Sequence, residues 1–321
     1  MALGRLIVRR LFTTCALLFL LSILIFLLME VLPGDIAKLR AGQFATSGEI
    51  ELSRHQLGLY DPVYVRYLHW LSGFLTGDWG QSWRYQIPIA PLIQQRLANS
   101  AILAGVALLV VVPVSVAGGV VAALNEGRLL DHVLTMGGLL SMAVPEFVSS
   151  MILILVFSLW IPLLPSWAFI PEGASPLTAL YYLILPVAAL TLVVFAYISR
   201  MVRASVINEL RRNYTRTAVL NGLSFSTVLI KHVLRNALLP TITVVANQLS
   251  WLLGGLVVVE NVFNYPGLGQ LLAQAAVSHD VPVLEMTILI SAATLMLGNL
   301  AADLLYGLAN PRVRVQLRAG H

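Results

Sequence analysis

Leu11-Phe-Thr-Thr-Cys-Ala-Leu-Leu-Phe-Leu-Leu-Ser-Ile-Leu-Ile-Phe-Leu-Leu-Met29 runs without a single charge. A bilayer hydrocarbon core about 30 Å thick is crossed by roughly 20 apolar residues of helix, so this stretch supplies a first crossing. The pattern recurs along the chain. Asn99 to Asn125 carries no charge, and His132 to Glu172 holds only Glu146 inside it. Gly173 to Ser199, Asn236 to Val259 and Met286 to Ala302 carry none, and past Asp303 the apolar run continues to Ala309. Six spanning helices are expected, which makes the fold an all-α membrane protein. Composition agrees: of 321 residues 58% are hydrophobic and 11% charged, with mean hydropathy +0.85. A soluble domain averages about 25% charged residues, and a disordered chain is poorer still in apolar ones. Cys15 is the only cysteine, so no intrachain disulfide is possible.

The net charge of +5 is explained by topology. Arg5, Arg9 and Arg10 precede the first span, and Arg128 lies between the second and third. Arg200, Arg203, Arg211, Arg212, Arg216, Lys231 and Arg235 lie between the fourth and fifth, and Arg312, Arg314 and Arg318 end the chain. All fall on one side. The short opposite loops at 161–177 and 263–285 hold no basic residue, and the remaining six sit in the long loop at about 33–98. Long loops weigh little in the positive-inside rule. Both termini are therefore expected in the cytoplasm, and the basic excess does not imply nucleic-acid binding. The first apolar stretch is too long for a signal peptide, and no small-x-small cleavage site follows it, so it reads as an uncleaved helix.

The long loop interleaves Tyr64, Tyr67, Trp70, Phe74, Trp79 and Trp83 with polar residues. Such rings suit a helix lying at the membrane interface, the preferred reading, or a docking surface for an extracytoplasmic partner. The third span is interrupted at Pro145. It is either a kinked helix or, as preferred, a short cytoplasmic-side helix followed by a spanning helix. In that reading Pro145 takes its first position, where a missing N–H is harmless, and Glu146 complements the helix dipole beside it.

Catalytic patterns are missing. There is no G-x-x-x-x-G-K-[ST] loop, no H-E-x-x-H, and no G-x-S-x-G. The six histidines show no ligand spacing. Ionisable groups in or near spans are functional candidates by default, here Glu30, Glu146, Glu260 and Asp303. The second, fourth and fifth spans hold no acidic or His chain at mid-depth, which disfavours a secondary active transporter. An intramembrane enzyme lacks a polar catalytic pair.

The loop at 200–240 is the most informative. Asn213-Tyr-Thr-Arg-Thr-Ala-Val-Leu-Asn-Gly222-Leu-Ser224 reads as a short helix stopped by Asn221-Gly222. Next comes an amphipathic piece from Phe225 to Asn236, and Ala237-Leu-Leu-Pro240 opens the fifth span. On physical grounds alone this is either an ordinary basic loop or an element that a partner pushes.

Thr215-Arg-Thr-Ala218, Gly222 and Arg235-Asn-Ala-Leu-Leu-Pro240 resemble the "EAA" motif of ABC-importer permeases, in particular the dipeptide, oligopeptide and nickel branch. Leu32-Pro-Gly-Asp35, Leu57-Gly-Leu, Gly77-Asp-Trp-Gly-Gln-Ser82, Val144-Pro145, Val257-Val-Val-Glu260, Val262-Phe263 and Tyr265-Pro-Gly-Leu-Gly269 stand in that family's order. The resemblance covers residues 5 to 313 and is to the first-permease type, with its long outer loop. Two positions depart from the pattern. The motif's leading Glu is missing, and Glu146 stands where a small polar residue is usual.

The resemblance implies a type I importer permease in the bacterial cytoplasmic (inner) membrane, forming half of a pore with a second homologous permease. Two cytoplasmic ATPase subunits, holding ATP and magnesium, would drive it, and an extracytoplasmic solute-binding protein would deliver peptides or related small solutes. This chain itself would hold no cofactor and catalyse nothing. Residues 1–98 would form the first helix and outer loop, 99–310 a five-helix core, and 311–321 a cytoplasmic tail. The coupling element near 213–223 would present Tyr214, Thr215, Arg216, Thr217, Ala218, Asn221, Gly222 and Leu223 to an ATPase. Pro145, Glu146, Asn247, Gln248 and Glu260 are the pathway or gate candidates. Asn247 and Gln248, with Asn299, suit a peptide backbone, or alternatively interhelical hydrogen bonds worth about 0.6 kcal/mol.

Overall fold

The computed structural model describes residues 2–31, 36–41, 45–171 and 173–309, without the side chains of 2–7, 249–251, 253–255 and 303–309. The Leu32–Asp35 motif, the 311–321 tail with Arg312, Arg314 and Arg318, and the side chains of Arg5 and Asp303 lie outside the described residues.

The chain begins with α1 (Ala2–Val31), about 45 Å long at 1.5 Å per residue. The long loop then folds as three helices, α2 (Ile36–Ala41), α3 (Ser47–Gln56) and α4 (Val63–Thr76). A capping box starts α3: the Thr46 hydroxyl accepts from the Glu49 N–H while the Glu49 carboxylate accepts from the Thr46 N–H. A tight turn with one bridge, Gln81 to Pro88, leads into α5 (Ile89–Leu124). Next come α6 (Leu129–Ala143), α7 (Glu146–Ile154) with a π-helical extension over Leu155–Trp160, and α8 (Pro176–Leu210). Ser175 caps α8 by accepting from the Thr178 N–H, and Pro176 occupies the first turn, where it lacks only a donor that would be orphaned. After it stand the short α9 (Asn213–Leu220) and α10 (Phe225–Thr227). A π segment over Val228–Leu234 then runs directly into α11 (Arg235–Val262). The chain closes with α12 (Leu268–Ser278) and α13 (Val281–Ala309).

Among the described residues five helical stretches are long and apolar enough to cross a bilayer, and the bent pair α6–α7, taken as one span, makes a sixth. That pair turns through 107° at Val144–Pro145. Each limb is only about 22 Å long, so neither crosses a hydrocarbon core of about 30 Å alone. The expected spanning helix beginning at Pro145 is therefore half of a broken span, and Pro145 stands just before its first helical residue in extended conformation.

Two other expectations are corrected. Pro240 does not open the fifth span but lies inside α11. The π turn just before it shows that the backbone ladder is already irregular there, which makes the lost donor easier to accommodate. The supposed loop 263–285 contains α12 and the start of α13, so the last span begins before Met286 and includes Glu285.

The core centres on α8, which packs against α5, α6, α7 and α11. Leu103, Ala107 and Val111 of α5 meet Leu190, Val194, Ile198 and Val202 of α8 and Leu252, Leu256 and Val259 of α11 in one buried cluster. The closest approach of α5 to α8 needs a glycine. A Cβ on Gly119 would fall 2.5 Å from the Ser199 carbonyl oxygen. A second cluster joins Ile89 and Ile93 of α5 to Leu268, Leu271 and Ala275 of α12 and Val283 and Met286 of α13. α1 stands at the periphery, packed on α13 and α4, with Phe12, Phe19, Leu20 and Leu28 exposed.

The loop aromatics divide between two faces of α4. Tyr67, Trp70 and Phe74 turn inward, in ring contact with Phe26 of α1 and with Trp79, and the Tyr67 hydroxyl hydrogen-bonds Ser22 at 2.9 Å. Tyr64 and Leu68 stay exposed on the other face. The 81–88 turn is fastened to the start of α13. Buried Asp280 accepts from Ser82 Oγ at 2.5 Å, from Trp83 N at 3.1 Å and from Arg84 N at 3.2 Å.

Candidate functional site

The element at 213–223 is held firmly on one side and left bare on the other. Thr215 and Ala218 are buried, and Thr215 Oγ1 donates to the Glu209 carbonyl at 2.7 Å. The Tyr214 hydroxyl donates to the Glu209 carboxylate and accepts from Asn236 Nδ2 at 3.1 Å. These bonds tie α9 to the end of α8 and the start of α11. At its C-terminus the Leu223 N–H reaches the Ala218 carbonyl at 3.3 Å and the Gly222 N–H reaches Val219 at 3.0 Å. That bond pair is a Schellman motif, with Gly222 in the left-handed position at φ 82°. Asn221 is the C-cap residue. Ser224 then caps the next turn, accepting from the Thr227 N–H.

The bare side combines apolar and basic groups. Val219, Leu220, Leu223, Phe225 and Ile230 are exposed, Leu220 at 77%. Arg216 and Thr217 are exposed beside them. An apolar patch displayed on so short and well fixed an element is the mark of an interaction surface. Behind it, Asp131 at the start of α6 accepts a bidentate pair from Arg203 of α8, both contacts at 2.6 Å, and also accepts from the Gly127 N–H at 2.9 Å. Arg211 pairs with Glu126 at 2.8 Å. These bonds brace the α5–α6 turn against α8, next to α9.

The other named residues lie along the membrane part. Pro145 is exposed at the bend. Glu146 is half-buried, and its buried Oε1 has no hydrogen-bond partner among the described residues. Asn247 is exposed and Gln248 half-buried on α11. Val244, one turn before Asn247, lines a cavity of about 550 Å³ together with Thr135, Tyr197, Arg200 and Arg203.

Glu260 is completely buried at the far end of α11. Its carboxylate accepts from Ser100 Oγ at 2.5 Å, from the Gly269 N–H at 2.7 Å and from the Gln270 N–H at 3.1 Å. Ser100 Oγ in turn accepts from the Leu268 N–H at 2.8 Å. Glu260 and Ser100 therefore act as remote N-caps for α12. A Cβ on Gly267 would fall 2.1 Å from Glu260 Cδ, so the glycine makes room for the carboxylate. Around it, Asn99 Nδ2 donates to the Pro266 carbonyl, the Tyr265 hydroxyl donates to the Asn99 carbonyl, and Arg96 reaches Gln270 Oε1 at 2.9 Å. Burial, with the nearby Glu260 charge adding to it, raises the Tyr265 phenol well above its usual range, so it stays a donor.

Residues 115–315 match the family of binding-protein-dependent transport system inner membrane components, and residues 3–104 match that family's N-terminal region. The chain is 35% identical over 314 residues to a probable peptide ABC transporter permease protein of Sinorhizobium fredii, covering 97% of this chain and 99% of that one. It is 37% identical over 308 residues to the glutathione transport system permease protein GsiC of Escherichia coli and of Shigella dysenteriae, covering 96% and 98%. The chain belongs to the binding-protein-dependent transport system inner membrane component family. It is thus a multi-pass inner-membrane permease subunit of an ABC transporter, one that works with a binding protein and an ATPase.

In this permease the eight residues from the 213–223 element come together on one short helix and its cap. The pathway candidates do not form one cluster. Glu260 sits in a closed hydrogen-bonded network at one end of α11, while Asn247 and Gln248 lie further along the same helix. Sequence reasoning missed Asp131, Arg96, Gln270, Asp280 and Glu285. Asp280 was detectable, since an Asp before an apolar run is a helix-start pattern. Asp131 had a similar cue, standing three residues after Arg128 at the head of a helix, but nothing in the sequence pointed to Arg203 as its partner.

Proposed function

We propose that this permease carries peptides or related small amides inward, pairing with a second homologous permease and driven by two ATPase subunits. α9 is the coupling helix, seated in a groove of one ATPase. The observation that carries this reading is the apolar face of Val219, Leu220, Leu223 and Phe225, held out on a helix that Thr215, Tyr214 and Gly222 fix in place. Arg216 stands on the same exposed side, available to an acidic ATPase surface or to anionic lipid. In this reading α9 and both termini are cytoplasmic, and the long 33–98 loop is outside, where it meets the binding protein. The two relatives named for peptide and glutathione transport support the substrate class.

The energetics are those of a population shift. ATP closes the ATPase pair, the coupling helices move with it, and the permease pair shifts toward its outward-open state. Each partner biases that equilibrium only by its differential affinity for the two states. ATP and magnesium belong to the ATPases, and this chain catalyses no reaction itself. The test is purification of the detergent-solubilised chain from its native membrane, with mass spectrometry of the proteins that accompany it. A second permease, P-loop ATPases and a solute-binding protein are expected. The chain alone, transporting in liposomes without ATP, would overturn the reading in favour of a secondary transporter.

A further inference from the structure

A cavity of about 550 Å³ opens among α6, α8 and α11, in the half of the bundle that ends at α9. Two guanidinium groups line it, Arg200 and Arg203, and among the described residues no carboxylate does. The two arginines lie less than one turn apart on α8, yet they are not equivalent. Arg203 gives both arms of its fork to buried Asp131, each contact at 2.6 Å. Arg200 is exposed, and among the described residues it has neither an ion pair nor a hydrogen bond. Tyr197 stands one turn before it on the same face, 42% exposed, and among the described residues its hydroxyl has no partner either. Ala196 and Ala204 flank Arg200 at four-residue spacing, so small side chains leave the guanidinium room.

A free cation and a free hydroxyl on one wall call for an anionic oxygen. The arginine fork takes a carboxylate or a phosphate through two parallel N–H bonds, and a cavity of this size suits a small ligand. That chemistry has two sources, the phosphate of a phospholipid and the carboxylate of a solute. The surroundings favour the solute. An arginine that snorkels to lipid phosphates lays its stem along an apolar, lipid-facing side. Here the facing wall is Val244 of α11, and Asn247 follows it three residues on, exposed on the same face. Thr135 adds a hydroxyl from α6. Polar groups brought together from three helices mark a wetted passage between them.

We propose that this cavity is a carboxylate subsite on the solute's way through the permease, with Arg200 binding both carboxylate oxygens and the Tyr197 hydroxyl donating to one of them. Arg203 is held by Asp131, so it shapes the wall and supplies no free charge. The proposal rests on the reading of this chain as a permease for peptides or related small amides, whose C-terminal carboxylate is the group the subsite holds.

The test is phenylglyoxal modification of the complete transporter, purified with its partner subunits into phosphatidylcholine nanodiscs, with mass spectrometry following Arg200 and Arg203 separately. Arg203, locked to Asp131, should react at least tenfold more slowly than Arg200. Excess alanyl-alanine or N-acetyl-alanyl-alanine should slow the reaction of Arg200 at least tenfold. Alanyl-alanine amide, which lacks the carboxylate, should leave it unprotected. These comparisons use only the wild-type protein, so they hold even if a variant misfolds. In proteoliposomes, Arg200→Gln should lower uptake of alanyl-alanine at least tenfold, and Arg200→Lys should recover part of it. Protection by the amide equal to that by the dipeptide, or no protection by either carboxylate, would overturn the proposal. Protection by added phosphatidylglycerol that alanyl-alanine does not relieve would assign Arg200 to a lipid phosphate and overturn it too. If the wild-type transporter imports neither alanyl-alanine nor glutathione while alanyl-alanine still protects Arg200, the substrate class fails and the carboxylate subsite stands.

Discussion

At φ 82° Gly222 occupies backbone space that a side chain enters at a cost of about 1–2 kcal/mol. Among the described residues nothing lies within 4 Å of the Cβ it lacks, so a substitution there strains the turn without a clash. Gly222→Val should open the Schellman bonds to Ala218 and Val219 and tilt the exposed Val219–Leu223 face. The protein should still insert, since no span is touched. Substrate uptake should drop at least tenfold while ATP hydrolysis continues uncoupled, and wild-type uptake in this variant would remove the coupling assignment. Glu146 makes the opposite case, a side chain whose buried Oε1 has no partner among the described residues. Glu146→Gln removes the charge and keeps the shape, so uptake should fall with thermal stability kept or raised. Unchanged uptake together with unchanged stimulated ATPase activity would leave the carboxylate a structural role. The two residues also differ in legibility. Asn221-Gly222 after a short amphipathic stretch announces its own turn, because a left-handed cap is a local requirement. The ties that hold the helix, Tyr214 to Asn236 and Thr215 to Glu209, depend on where other elements arrive, and no spacing rule encodes them.

At the scale of elements, the spans were legible because an uncharged run of about 20 residues has few other uses. The places where reading failed share a cause. α12 was missed since the stretch from Leu268 to Ser278 is too short to span, and it is stabilised from outside by Glu260 and Ser100. The fifth span's start was misplaced because Pro240 looks like an N-terminal proline, whereas the helix continues through it. The last span extends further toward its N-terminus than its uncharged run suggests, because Glu285 is buried inside α13 although a charge there looks like a loop residue. In each case a partner on another element, or an irregular stretch of ladder, overrides the local pattern. The dependence of α12 on Glu260 can be measured. Glu260→Ala leaves the Gly269 and Gln270 donors and the Ser100 hydroxyl without their acceptor, and a lost buried partner costs about 1–3 kcal/mol. Hydrogen exchange over 264–278 should rise by at least tenfold in this variant, with α8 unaffected. Exchange rising equally in α8 would mean that the carboxylate supports the whole bundle and not this helix.

For the whole molecule the decisive quantity is which end faces which compartment. The apolar α9 face and the long loop tethered to Asp280 lie at opposite ends of the bundle, because Arg203 on Asp131 and Arg211 on Glu126 hold the end of α8 beside the end of α5, while the long loop leads into the start of α5. The sorting of basic residues predicts the side: six of the twenty lie in the terminal segments, seven in the 200–240 loop and Arg128 in the α5–α6 turn, while the short opposite stretches 161–177 and 263–285 carry none. Arginines at that end also serve structure, Arg203 on Asp131 and Arg211 on Glu126, so the charge bias and the packing of the α5–α6 turn reinforce each other. Cys15 is the only thiol, which makes the orientation directly testable. In a Cys15→Ser background, cysteine replaces either Ser72 on α4 or Ser226 on α10, both exposed. A membrane-impermeant maleimide added to intact spheroplasts should label the Ser72→Cys protein and spare the Ser226→Cys protein. Inverted vesicles should give the reverse. Labelling of both positions from the same side would mean that the bent pair re-enters without crossing, leaving five spans and the termini apart. Labelling of Ser226→Cys alone in spheroplasts would turn the molecule over and put α9 out of reach of any ATPase.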